Sequence, residues 1–349
     1  MKIKNIVNYL ESIAPPAYQE SYDNAGLIVG RMEQEVTGVL LCLDSTEAVI
    51  AEAITKGCNL VIAHHPIVFK GLKRFNGSNY VERVVIKAIK HDIAIYAAHT
   101  NLDNVSHGVN ARICKQLKLE NTRILAPKKL LKKLIAQVDL QNVEAIRKAL
   151  LTIDKDRIGV VEGSVYSSVG AGSANGAVIP KVRLEVNYHA ASERHVLQTL
   201  KKVNGSSETV IDIMPLETVH PRIGSGMIGN LPEAIAPLAF LRFVKKAMKT
   251  SCVKHTAIVG RKVNRVAVCG GAGGFLLKSA IRAGADVFIT ADYKYHEFFD
   301  ADGRIIIADI GHYESEQFTI QLLNEFITKK FTTFAVHLTT VNTNPVRYI

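Results

Sequence analysis

Short apolar runs recur at both ends of this chain, and most of them stop on an aspartate or a histidine. In residues 1–125 the runs at 38–43, 59–63 and 93–97 lead to Asp44, His64 and His99. In the last third the runs at 265–269, 286–290 and 304–309 lead to a glycine turn, to Asp292, and to Asp309 and His312. Helical patterns separate them at 46–56, 80–90, 107–117, 275–283 and 314–328, and a final strand is expected at 333–337. Continuously apolar strands alternating with helices specify a mostly parallel sheet covered on both faces. In such sheets ligands bind outside the carboxyl ends of the strands. The polar endings therefore fall where chemistry is expected.

The middle of the chain has a different rhythm. It predicts strand 130–138, helix 143–150, strand 158–167, a Gly/Ser/Ala-rich loop at 170–177, strand 182–186, helix 192–203 and strand 209–214. The order β-α-β, loop, β-α-β is the split, ferredoxin-like pattern. Two α/β stretches flanking an α+β module imply a domain inserted into another domain, at an exposed loop with close ends. The expected parts are 1–126, 127–225 and 226–349.

Composition narrows the class. The chain has 349 residues, 48% of them hydrophobic and 21% charged, a globular balance. No apolar run reaches about 18 residues, so no membrane helix is expected. The first 16 residues read as an amphipathic helix, not a signal peptide. Five scattered cysteines without a C-x-x-C pair fit reduced thiols in a cytoplasm. The net charge of +11 is spread along the chain in short Lys pairs with no nucleic-acid motif, so it reads as solvated surface.

Three clusters hold groups able to do chemistry. His64-His65-Pro66 ends one strand; Pro66 favours departure from the strand, which would let both imidazoles serve one site. His99-Thr100-Asn101-Leu102-Asp103 ends another, although Asp103 could equally cap the helix at 107–117. Asp309-Ile310-Gly311-His312-Tyr313-Glu314-Ser315-Glu316 ends a third. There His312 and Glu316 share a helix face at i and i+4, and the glutamates could alternatively complement the helix dipole. Histidines and carboxylates without cysteine suit Zn²⁺, Fe, Mn²⁺ or Co²⁺ in an open catalytic site. The number of candidates exceeds the needs of one four-coordinate ion, which points to a metal pair about 3.5–4 Å apart, bridged by a carboxylate and a water or hydroxide.

Other features allow two readings each. Gly270-Gly271-Ala272-Gly273-Gly274 stands where a phosphate-binding turn would, but it lacks the strict dinucleotide or P-loop pattern and suits tight packing as well. Asp23 and Asn24 line a pocket or form a turn. His296 is an acid/base group or a surface histidine.

Taken together, the motifs resemble a known family, the NIF-three-like di-metal proteins, often labelled GTP cyclohydrolase I type 2 homologues. The stretches that carry the resemblance are Asp23-Asn24-Ala25-Gly26-Leu27-Ile28-Val29-Gly30, Ala63-His64-His65-Pro66, His99 to Asp103, Val268-Cys269-Gly270-Gly271, Tyr295-His296, Asp309 to Glu316 and Asn344-Pro345-Val346-Arg347-Tyr348. The resemblance implies that His64, His65, Asp103, His312 and Glu316 bind two divalent metals, with His99 and His296 as polar, candidate catalytic neighbours. It also implies a two-lobed α/β body with a P-II/CutA-like insert, assembled as a ring-shaped homohexamer. Tyr22 stands where the family usually has Trp, Ala291-Asp292 where it has Gly-Asp, and 203–207 replaces a His-Pro-Tyr-Glu-Glu stretch.

The expected activity is metal-dependent hydrolysis using a metal-bridging hydroxide on a small molecule, with GTP ring opening as the form the family label implies. The alternative is a regulatory or metal-handling scaffold that binds a partner or nucleotide through the insert. A nucleic-acid or transcription-factor partner is a third reading, carried by the family alone.

Overall fold

The computed structural model describes residues 1–151, 165–174, 177–205 and 210–349, and two compact units emerge. The first combines Met1–Ala126 with Arg222–Ile349, and the second is Pro127–Pro221.

Within the first unit a five-stranded sheet runs Gly26–Val29, Ala94–Ala97, Leu60–Ala63, Gly38–Cys42, Ala335–Leu338. Every pairing is parallel except that of Gly26–Val29. The three central strands are buried at every position, as their unbroken apolar runs require. Helices Glu47–Thr55 and Tyr80–Lys90 connect them. Each begins at a side-chain cap: Thr46 Oγ1 accepts from Val49 N at 3.3 Å, and Asn79 Oδ1 accepts from Glu82 N at 3.0 Å. The N-terminal amphipathic helix is Ile3–Ile13, with Ile3, Ile6, Val7 and Leu10 buried.

The same unit holds a six-stranded sheet, in the order Lys254–His255, Ile306–Asp309, Val287–Ala291, Val263–Ala272, Gly224–Ile235, Glu120–Pro127. Its three apolar strands pair in parallel. Each half of the unit lends a strand to the other's sheet: Glu120–Pro127 joins the second, and Ala335–Leu338 joins the first. Strands Glu120–Pro127 and Gly224–Ile235 and helix Pro237–Ala247 lie outside the elements read from sequence. The first begins Glu-Asn-Thr-Arg with all four residues exposed. In the second, glycines interrupt the apolar pattern, because a Cβ at Gly229 would stand 2.9 Å from the Glu120 carbonyl oxygen. The helix expected at 314–328 is two helices, His312–Glu316 and Thr319–Lys330.

The second unit has its own four-stranded antiparallel sheet, ordered Val165–Ala174, Ala177–His189, Leu131–Asp139, Ile211–Pro215. Helices Val143–Leu151 and Glu193–Asn204 pack on it around Leu134, Ile146, Leu184, Tyr188, Val196 and Leu200. The Gly/Ser/Ala stretch expected as a loop is instead mostly strand. Ladder pairing continues to Ala174 opposite Ala177; small residues carry no apolar alternation by which a strand could be read. Much of the expected strand 158–167 and the start of that at 209–214 lie outside the described residues.

Phe288 is fully buried among Leu277, Ala267 and Ile307 under the second sheet. Replacing it with Ala is expected to cost about 3–5 kcal/mol, seen as a lower midpoint of urea denaturation with an unchanged slope.

Candidate metal centre

The carboxyl ends of both parallel sheets open on one cavity of about 770 Å³ in the first unit. Past Ala63 the chain does not turn away at once: His64 N donates to Leu43 O at 3.1 Å and His65 N to the same oxygen at 2.9 Å. The two imidazoles lie 4.9 Å apart at 46°: His65 lines the cavity, and His64 is fully buried beside it. Past Ala97, a single turn Thr100–Asp103 places Asp103 in the cavity wall. Asp103 does not cap the next helix; Gly108 occupies that position. From the second sheet, the short helix His312–Glu316 presents His312 and Glu316 on one face.

Glu316 is 3% exposed and sits at the centre of these groups. Its Oε1 is 3.7 Å from His64 Nε2, which is itself 3.7 Å from Asp103 Oδ1. Its Oε2 is 2.9 Å from His65 Nε2 and 3.2 Å from His312 Nε2. Two donor groups result: His64, Asp103 and Glu316 on one side, His65, His312 and Glu316 on the other. A third, of His64, His65 and His99, lies beside them.

The tautomers follow from the partners. His64 Nδ1 is 2.7 Å from the Ala98 carbonyl, His65 Nδ1 2.7 Å from Asp44, His99 Nδ1 2.7 Å from Asp23, and His312 Nδ1 2.7 Å from Asp292. A carbonyl or carboxylate oxygen only accepts, so each Nδ1 carries a proton and each Nε2 is the nitrogen left to face a ligand. Metal-ligating histidines are held in this way. His64 Nε2 and Asp103 Oδ1 are both buried without a hydrogen-bond partner among the described residues, which is costly unless something fills the space between them. His65 and His312 bring their Nε2 atoms within 3.4 Å of each other beside a carboxylate. Such a spot calls for positive charge. Burial disfavours charge on both rings, but Glu316 with Asp44 raises His65 to about 10, and Glu316 with Asp292 raises His312 to about 11. Buried His64 is held down, which keeps its lone pair free at neutral pH. The residues fit divalent cations.

The glycine run has a structural use. Gly271 has φ +62°, and a Cβ there would lie 2.5 Å from Glu316 Oε1 and 3.2 Å from His312 Cε1. Its N–H donates to Ser315 Oγ at 2.9 Å, and that of Gly270 donates to Asn110 Oδ1 at 3.0 Å. These amides are committed to protein partners, and tight packing is the role they fill. Asn110 Nδ2 also donates to Asp103 O at 3.0 Å, tying the Asp103 turn to the second sheet.

Of the residues singled out from sequence, His64, His65, His99, Asp103, His312 and Glu316 meet here. His296 is exposed, packs on Tyr295 and Phe299, and is not among the residues lining the cavity. Asp23 holds His99 and the Thr100 backbone and hydroxyl. Asp44 and Asp292 hold the two exposed-side histidines without having been assigned that task; their position at strand ends was the available signal.

A family model, Duf34/NIF3 (NGG1p interacting factor 3), matches residues 1–345. The chain belongs to this family. A Bacillus subtilis relative named GTP cyclohydrolase 1 type 2 homolog is 32% identical, covering 99% of this chain and 98% of that protein. A crystal structure of a Bacillus cereus protein related to NIF3 superposes with a TM-score of 0.79 at 32% identity, covering 100% and 99%. A Staphylococcus aureus crystal structure gives 0.81 at 30% identity, with the same coverage. The mixed α/β architecture with several sheets is thus that of NIF3 structures.

Two outcomes are expected. Asp44→Asn and Asp292→Asn should each weaken divalent-metal affinity by about 10–100-fold with unchanged circular dichroism, whereas Glu316→Ala should abolish binding; elemental analysis and metal titration check this. The second concerns pH. Burial pushes the Asp23 carboxyl up, but His99 and Thr100 outweigh it and lower it to about 2. A depressed folded-state pKa gives stability that is present above the unfolded value and lost as pH falls through the folded one. In chelator-treated protein the stability gap between wild type and Asp23→Asn should therefore shrink from about pH 4 towards 2; a gap constant across that range would contradict it.

Proposed function

We propose that this chain is a dinuclear metal-dependent hydrolase, with His64, His65, Asp103, His312 and Glu316 as metal ligands. The observation that carries this is Glu316, whose two oxygens serve two separate histidine-containing groups. That division suits a bridging carboxylate. A pair of Zn, Fe, Mn or Co ions held there would activate water near neutral pH and polarise a carbonyl, C=N or phosphoryl group. The protein's own groups do the rest. Asp44 and Asp292 orient His65 and His312. His99, oriented by Asp23, takes a proton from the attacking water and returns one to the leaving atom. His296 is retained as a second proton-transfer group only where another surface brings it to the cavity.

The name of the B. subtilis relative supports a nucleotide as one candidate substrate, with ring opening of GTP by water as the reaction. We also propose a cytoplasmic protein, consistent with five free cysteines, and the ring-shaped homohexamer that the family resemblance implies. No helix among the described residues is long and apolar enough to cross a membrane.

The test is purification with Mn²⁺, Zn²⁺ or Fe²⁺ and assay of GTP and other hydrolysable ring compounds. Metal-dependent turnover that disappears in Glu316→Ala is expected. Turnover that survives chelation and that substitution would refute the reading.

A second reading draws on the 127–221 unit. In its own numbering the strand order is 4-1-3-2, all antiparallel, which supports an inserted ferredoxin-like, P-II-like module. Under it, the protein is a regulatory or metal-handling scaffold. Excising 127–221 would then abolish partner or ligand binding and leave metal content intact.

A further inference from the structure

The charge of the cavity runs against the charge of the chain. The protein carries +11 overall, yet among the described residues the cavity wall sets seven carboxylates against one lysine and three histidines, with no arginine, and two of those histidines are already paired with Asp44 and Asp292. The lysine, Lys254, is already engaged: its Nζ lies 2.7 Å from Asp309 Oδ2. Phosphate chains are read by arginine forks, lysines and unpaired backbone amides. The amides of the glycines at the floor are spent, those of Gly270 and Gly271 on Asn110 and Ser315, and that of Gly311 on Asp309 Oδ1 at 3.0 Å. A metal pair could take one phosphate group. The rest of a triphosphate would face carboxylates such as Asp292, Glu314 and Glu20.

What the wall does offer is aromatic surface. Phe69 and Tyr22 stack at 6.4 Å and 29°, and both remain open, at 48% and 63% exposure. Phe69 also meets His99 edge-on at 5.9 Å. His99 in turn lies 5.3 Å from His64 and 5.4 Å from His65. The aromatic shelf is therefore one imidazole away from the ligand cluster. Phe275 adds a third exposed ring to the wall. Aromatic faces amid carboxylates favour a flat ring, and more so one bearing positive charge.

We infer that the cavity selects a planar nitrogen heterocycle, neutral or cationic, that carries no polyphosphate, with Phe69 and Tyr22 as the residues that stack on it. This rests on the cavity being the substrate site of the proposed hydrolase, and it sets the substrate apart from a nucleoside triphosphate.

Binding, not turnover, tests it, so its failure is separable from failure of the hydrolase reading. The full-length Mn²⁺-loaded protein is titrated calorimetrically with guanosine, cytidine and pterin, and in parallel with GTP and inorganic triphosphate. At least one unphosphorylated ring should bind about tenfold or more tightly than GTP, and inorganic triphosphate should not compete with it. Phe69→Ala should weaken that ring by roughly tenfold with metal content unchanged, the size expected for loss of one stacking face. Phe69→Tyr should restore it. Tighter binding of GTP than of every unphosphorylated ring, competition by inorganic triphosphate, no binding of any ring probe, or an unaffected Phe69→Ala would each overturn the inference.

Discussion

A buried glutamate surrounded by imidazoles sets the terms for the rest of this molecule. Glu316 is nearly inaccessible, and an isolated carboxylate at such a depth would be expensive to keep charged. Burial pushes its carboxyl up, but His312 and His64 outweigh that and hold it ionised, well below the ordinary range, while Asp103 opposite is driven up by burial and by Glu316 itself. The arrangement works only with positive charge between the groups. Every surrounding choice serves it: carbonyl and carboxylate acceptors on each Nδ1, a glycine at 271 where a Cβ would collide with Glu316, and a one-turn helix that puts His312 and Glu316 on one face.

The clustered histidines and carboxylates come from two sheets, and the chain secures those sheets by exchanging strands. Ala335–Leu338 pairs with Gly38–Cys42, and Glu120–Pro127 lies beside Gly224–Ile235. Segment 339–344 extends this tie. Thr343 donates to Asp44, the residue that orients His65, and Asn344 Nδ2 donates at 3.0 Å to Oε1 of Glu314, within the His312–Glu316 helix. Separation of the sheets would thus break hydrogen bonds at the candidate metal centre itself. The 127–221 unit keeps its own core and contributes none of the clustered histidines and carboxylates.

The contrast between a basic chain and an acidic cavity has a simple origin. Lysines and arginines stay at solvated faces, where charge costs little. Two of the wall's carboxylates, Asp44 and Asp292, stand at strand ends as acceptors for the far nitrogens of His65 and His312. Net charge is therefore a poor guide to what the cavity binds.

Much of the fold and most of the site could be read from the residues. The buried parallel strands announce themselves because both faces are covered and every position is apolar, and His64, His99, Asp292 and His312 stand just beyond them. What stayed hidden had no periodic signature: a polar edge strand at Glu120–Pro127, a glycine-interrupted strand at Gly224–Ile235, and the small-residue strand end that pairs Ala174 with Ala177. The outer partners Asp44 and Asp292 were visible only as polar strand ends. The sequence by itself determined the residue types and their place at the carboxyl edges, since a strand's burial and its exit are local properties. Only the tertiary structure decided that Glu316 would stand between His64 and His65, some 250 positions away, with one oxygen towards each. That juxtaposition depends on strands paired across the whole length of the chain, which no local pattern encodes.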